Sequence, residues 1–183
     1  MCLNIFTIKT NVINLKTNVF VMSYDEQNIA INEVNESLTL YVKKFGNISS
    51  KISFADFFYD KMLLVQAIRK GLPYRLFNQI KSFTPFTDTD WAEYLDLSTK
   101  TLQRYRDEKD FHFKPIHTEK IFEVAEVTNF GIEVFGSSEK FYSWLNTSSY
   151  ALNGYKPSEL LRDSYGKEMV MAELNRIEHG IFA

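Results

Sequence analysis

The sequence predicts an all-α protein, a helix-turn-helix core followed by a small helical C-terminal domain. Three observations predict it. Apolar residues recur at three- and four-residue intervals through most of the chain beyond residue 23. Glycine and proline punctuate those runs at Gly46, Gly71, Pro73, Pro85, Gly136, Gly154, Pro157 and Gly180, leaving segments of helix length. Finally, Ala92, Asp96, Leu97, Leu102 and Tyr105 stand at the spacing of two short helices joined by a tight turn.

Composition bounds the rest. The 183 residues suit one domain or a domain with an extension, and 45% apolar content with 16 Phe, 10 Tyr and 2 Trp is ample for a core. A net charge of −2 excludes chain-wide polycationic binding of nucleic acid but leaves room for a local basic face. The single Cys2 has no internal disulfide partner, which suits a reducing cytoplasm. No apolar run approaches the roughly 18 residues of a membrane span.

Residues 1–22 form an N-terminal extension unlike the rest: β-branched, rich in Asn and Thr, and without helical spacing. It is an extra strand or hairpin, an unstructured leader, or a stretch preceding a true start at Met22. Residues 23–71 read as a helical region. Ile29, Ile31, Val34, Leu38 and Val42 predict one amphipathic helix that Gly46 ends. Phe54, Phe57, Phe58, Met62, Leu64, Val65 and Ile68 predict a second, which Gly71 stops.

Residues 72–135 hold the helix-turn-helix. Pro73 opens a helix to about Phe83 with Leu76, Phe77 and Ile80 inward, and Thr87 or Asp88 caps the next. Small Ala92 lets two helices approach, and Asp96 takes the turn position, where glycine is usual and aspartate is tolerated. Ser98 or Thr99 caps the second helix, and Lys100, Gln103, Arg104 and Arg106 fall around its solvent side. These residues suit phosphate contacts and major-groove readout, although Asp107, Glu108 and Asp110 dilute the positive charge. His117 and Thr118 then introduce a helix to Phe135 with Ile121, Val124, Ala125, Thr128 and Ile132 inward.

Residues 136–183 carry the most specific pattern. Ser137 or Ser138 caps a helix through Leu145, Asn153-Gly154 is a turn dipeptide, and Pro157 suits the first turn of a further helix with Leu160 and Leu161 inward. Asp163 or Ser164 caps a last helix with Gly166, Val170, Leu174 and Ile177 on one stripe, and Gly180 stops it. Trp144-Leu145, Ala151-Leu152, Gly154, Pro157, Leu160-Leu161, Gly166, Val170, Leu174, Arg176-Ile177-Glu178, Gly180 and Ile181-Phe182-Ala183 together resemble the toxin-binding domain of the Xre/MbcA/ParS antitoxins, in order and in spacing. The run Leu97-Ser98-Thr99-Lys100-Thr101-Leu102-Gln103-Arg104 is similar to the helix pair of the same family. Asn146-Thr147-Ser148-Ser149 departs from the proline-containing link usual after Trp-Leu, and Asn153 stands where glycine is common.

The resemblance implies an Xre-like helix-turn-helix protein acting as the antitoxin of a type II toxin–antitoxin pair. Its partner is expected to be a RES-type toxin that consumes or transfers from NAD, encoded by the adjacent gene. The expected toxin-binding residues are Trp144, Leu152, Gly154, Pro157, Leu160, Arg176, Glu178, Gly180, Ile181 and Phe182, with Arg176, Glu178 and the apolar tail masking the toxin's cleft. The expected operator-DNA residues are Ser98, Thr99, Lys100, Gln103, Arg104 and Arg106, used by a homodimer or a toxin–antitoxin hetero-oligomer in the cytoplasm. No cofactor, metal or enzymatic activity is expected: His112, His117 and His179 are scattered, and seven glycines form no phosphate loop. The alternative is a free-standing helix-turn-helix regulator whose C-terminal region serves dimerisation.

Overall fold

The structure is a computed structural model that describes residues 24–45 and 50–181. The expectations for residues 1–22, for Gly46 as a helix stop, and for Phe182 and Ala183 in the tail lie outside those residues. The described residues are all-α, with no strand among them: α1 (Tyr24–Val42), α2 (Phe54–Tyr59), α3 (Lys61–Lys70), α4 (Tyr74–Phe83), α5 (Asp88–Tyr94), α6 (Thr99–Asp107), α7 (Pro115–Phe135), α8 (Ser138–Leu145), a 3-10 turn (Tyr150–Leu152), α9 (Pro157–Leu160) and α10 (Ser164–Glu178).

The N-terminal helices correct the sequence reading in two places. On α1 the inward face is Ala30, Val34, Leu38 and Tyr41, while Ile29 is 60% exposed. The roll of the helix is set by Tyr41, whose buried phenol donates towards the carbonyls of Ala67 (3.0 Å) and Gly71 (2.8 Å). The single helix expected over Phe54–Ile68 is two. Asp60 breaks it, closing α2 with its own N–H on the Asp56 carbonyl and capping α3 by accepting from the Leu63 N–H at 3.0 Å. The break re-phases α3, so Leu63 and Ala67 point inward and Met62 and Val65 face out.

The central region follows the prediction more closely. Leu76, Phe77 and Ile80 of α4 are buried, and Thr87 caps α5 in a reciprocal box with Asp90. Helix α7 starts two residues earlier than expected, at Pro115, where a missing N–H is harmless. Thr118 is instead an interior hub, fully buried, accepting from the Leu72 N–H (3.0 Å) and donating to the Phe113 carbonyl (3.3 Å). That hub and an antiparallel bridge between Pro73 and His112 tie the start of α4 to the segment entering α7. Around them Phe57, Phe77, Trp91, Phe113 and Phe122 are all essentially inaccessible. Each such aromatic contributes about 1.5–3 kcal/mol by burial.

Helix α7 is the spine. It packs on α2 and α3 on one side and on α8 and α10 on the other. The closest approach in the C-terminal domain is at Gly166, where a Cβ would lie 2.0 Å from the Leu160 carbonyl oxygen. Only glycine permits it.

Candidate functional site

Two exposed faces gather the residues singled out from the sequence. The first is α6. Helix α5 ends with the Leu97 N–H on the Ala92 carbonyl (2.9 Å) and the Asp96 N–H on the Glu93 carbonyl (3.2 Å), the paired bonds of a glycine-type helix stop. Asp96 holds the left-handed position itself, at φ +52°. Ser98 then caps α6, its hydroxyl accepting from the Thr101 N–H at 3.0 Å. Thr99 is therefore the first helical residue.

The inner side of α6 is anchored by Leu102, buried, and by Tyr105, which stacks on Phe111 with ring centroids 3.9 Å apart. That anchoring leaves Ser98, Thr99, Lys100, Gln103, Arg104 and Arg106 together on the solvent side, all exposed. Arg104 lies with its guanidinium 5.5 Å from the Tyr105 ring centre. Arg106 is engaged by Asp107 at 3.1 Å, which makes Lys100 and Arg104 the freer cations. His117, from the first turn of α7, backs the turn between α5 and α6. Burial holds its imidazole below the ordinary 6.5 and Lys114 adds to this, against the opposing pull of Asp96 and the Leu95 carbonyl.

The second face belongs to the C-terminal domain, and here the expected residues separate into two groups. Leu152 and Pro157 are buried, Leu160 is half-buried, and Trp144 lies half-buried against Phe135 and Phe141 at 5.5 and 6.1 Å. They build the domain. Gly154 is exposed beside Asn153, both left-handed (φ +82° and +54°), and shapes the turn before α9. Glu178, Gly180 and Ile181 are exposed and Arg176 is half-buried, at the end of α10.

The end of α10 is sharply defined. Gly180, at φ +67°, lets its own N–H reach the Ile177 carbonyl (3.0 Å) and the Ile181 N–H reach the Arg176 carbonyl (2.8 Å). Ile181 is left 57% exposed. Arg176 pairs with Glu173 at 3.3 Å, and Glu178 lies 3.8 Å from the His179 ring nitrogen.

Tyr165 and Met169, on the outer side of α10, are accessible residues that sequence reasoning passed over; they are 83% and 42% exposed. With Ala172 and Arg176 they recur at i, i+4, i+7 and i+11, so the signal was present. The stronger buried stripe of Gly166, Val170 and Leu174 on the opposite side obscured it.

Polar contacts link the helices that carry the two faces. Glu126 of α7 binds Lys167 of α10 at 2.6 Å and Lys61 of α3 at 3.4 Å. The Tyr94 hydroxyl at the end of α5 donates to the Ser158 carbonyl at 3.3 Å, and Glu93 pairs with Arg162. Among the described residues no group of three or more His, Cys, Asp or Glu is placed to hold a metal, and no helix is long and apolar enough to cross a membrane.

Comparison with known proteins identifies the domains that carry the two faces. Residues 63–126, spanning α3 to the first half of α7, match the family model of the antitoxin Xre-like helix-turn-helix domain. Residues 131–180 match that of the antitoxin Xre/MbcA/ParS C-terminal toxin-binding domain. A curated relative, "Antitoxin Xre" of Yersinia enterocolitica serotype O:8 / biotype 1B (strain NCTC 13174 / 8081), is 25% identical over 122 residues, which cover 66% of this chain and 82% of the relative. With the two antitoxin family models together spanning more than half of the chain, it belongs to the Xre/MbcA/ParS-type antitoxins.

Proposed function

We propose that this antitoxin neutralises a RES-type, NAD-consuming toxin encoded by the adjacent gene, by placing the end of α10 in the toxin's active cleft, and that it represses its own operon through α6. Inhibition is steric and needs no catalysis by this chain. The observation that carries the reading is the end of α10 itself: Glu178 and Ile181 are exposed, Arg176 is half-buried beside them, and the Gly180 turn already sets the backbone that bears them. A partner that binds them has little backbone left to order, which favours tight association. Arg176 exchanges its half-buried pairing with Glu173 for acidic or polar groups of the cleft, and Ile181 fills an apolar pocket. Phe182, beyond the described residues, extends the same apolar tail.

On the DNA side, Ser98, Thr99, Lys100, Gln103, Arg104 and Arg106 form the operator face. Lys100 and Arg104 meet phosphates while Gln103 reads base edges. One such module binds weakly, so a homodimer or a toxin–antitoxin hetero-oligomer on paired half-sites is the operative form in the cytoplasm.

The test is co-expression of the adjacent gene product with the intact chain, with a chain truncated after Gly180, and with Arg176→Glu, following cellular NAD and growth. Rescue by the intact chain alone, with both variants folded by circular dichroism, is the expected result. Full rescue by the truncated chain and by Arg176→Glu removes the end of α10 from the mechanism.

A further inference from the structure

Exposed large apolar side chains are unevenly placed. The segment α5–α7 shows one, Ile116, whereas α1–α3 show Ile29, Leu40, Tyr59, Met62 and Val65 and the C-terminal domain shows Tyr150, Tyr155, Tyr165, Met169 and Ile181; of these the pair on α10 lies inside the matched toxin-binding domain. Tyr165 and Met169 are one helical turn apart on α10 and lead directly to Ala172 and Arg176, a strip on the order of 16 Å long at 1.5 Å per residue. The opposite side of the helix is fully committed to the core through Gly166, Val170 and Leu174. Among the described residues no hydrogen bond or aromatic contact uses the Tyr165 ring, which is 83% exposed.

From this we infer that α10 divides two tasks: its outer strip, Tyr165–Met169–Ala172, is the anchoring surface for the toxin, while the Arg176–Ile181 end supplies the block. The inference rests on the antitoxin reading above and names where the affinity lies. The partner is recognised by an apolar groove on the toxin beside its cleft, wide enough for one helix. Three features favour that occupant. The strip lies inside the matched toxin-binding domain, it continues without interruption into the accessible end of α10, and it is a helix face with anchors at successive turns, the pattern by which amphipathic helices enter grooves. A tyrosine and a methionine suit the centre of such an interface, since both carry large apolar area and the thioether adapts to an irregular pocket. Lys167 and Glu126, which fix the roll of α10 against α7 at 2.6 Å, keep the strip facing outward.

The experiment compares the full chain, Tyr165→Ala/Met169→Ala, the truncation after Gly180 and the control Ile116→Ser. Each is titrated against the purified adjacent gene product by calorimetry, assayed for neutralisation of that toxin, and sized alone by light scattering. The expected result is a loss of affinity of about tenfold or more for the double variant, with no change for Ile116→Ser. The truncated chain is expected to lose less affinity than the double variant yet fail to neutralise. Wild-type affinity in the double variant, with wild-type binding intact, overturns the strip while leaving the antitoxin reading in place. A wild-type chain that binds no toxin overturns both. A chain dimer that the double variant splits shows the strip to be covered by a second copy, and the inference fails.

Discussion

Asp96 occupies the turn on which the helix-turn-helix depends, with a left-handed backbone at φ +52°. A residue with a Cβ holds that conformation at a disadvantage of about 1 kcal/mol against glycine, and aspartate at somewhat less. Asp96→Gly relieves it, while the freer unfolded chain takes back about half. The net expectation is a gain of about 0.5 kcal/mol, whereas β-branched Asp96→Val should lose about 1–2 kcal/mol. Urea denaturation midpoints measure both, and equal midpoints for the two variants would show that the turn relaxes away from φ > 0. The same logic separates the residues of the C-terminal motif. Leu152 and Pro157 belong to the pattern because they pack, whereas Ile181 belongs to it while 57% exposed and Arg176 while half-buried against Glu173.

At the scale of the element, α6 is a short helix held mainly through Leu102, Tyr105 and its Ser98 cap. Its outward residues carry little structural duty, so they can be changed without unfolding it. Arg104→Ala is expected to abolish operator binding at physiological salt, reduce the salt slope by about one phosphate contact, and leave toxin neutralisation intact. A gel-shift titration across salt concentrations decides this, and unchanged affinity would remove Arg104 from the interface. Helix existence was legible in sequence, and so were the caps to within one residue, because they depend on a hydroxyl or carboxylate within three residues of the N–H it satisfies; the structure selects Thr87, Ser98 and Asp163. The α2–α3 break was not. Asp60 reads equally well as a solvated position in one long helix, and only the packing of Phe57 and Phe58 against Phe122 of α7 requires the chain to re-phase there.

Over the whole molecule, α7 runs across both matched segments, and Glu126 clamps α3, α7 and α10 with two lysines. Among the described residues, α7 runs unbroken between the helix-turn-helix and the C-terminal helices. The chain is expected to unfold in one transition, and its two tryptophans report on it, since Trp91 lies in the helix-turn-helix and Trp144 in the toxin-binding domain. Trp144→Phe leaves Trp91 as sole reporter, and its fluorescence midpoint in urea should coincide with the loss of helix by circular dichroism. Glu126→Ala, which strands a half-buried Lys167, should lower the stability of both units together by about 1–3 kcal/mol. Separate midpoints for the fluorescence and the helix signal would show two independent units and a dispensable clamp.

The sequence by itself determined the helical class, the turn at Asp96, the order of the two domains and the family, because each depends on local spacing and on side chains that act within a turn of their own position. Tertiary structure alone decided which way each helix faces. It turned Ile29 and Met62 out through Tyr41 and Asp60, buried Leu152 and Pro157 within the toxin-binding domain, and left Tyr165 and Met169 uncovered. The physical reason is that apolar periodicity marks a stripe without saying what it meets. A helix with two such stripes, as α10 has, shows which one the core has taken only when the neighbouring helices are in place.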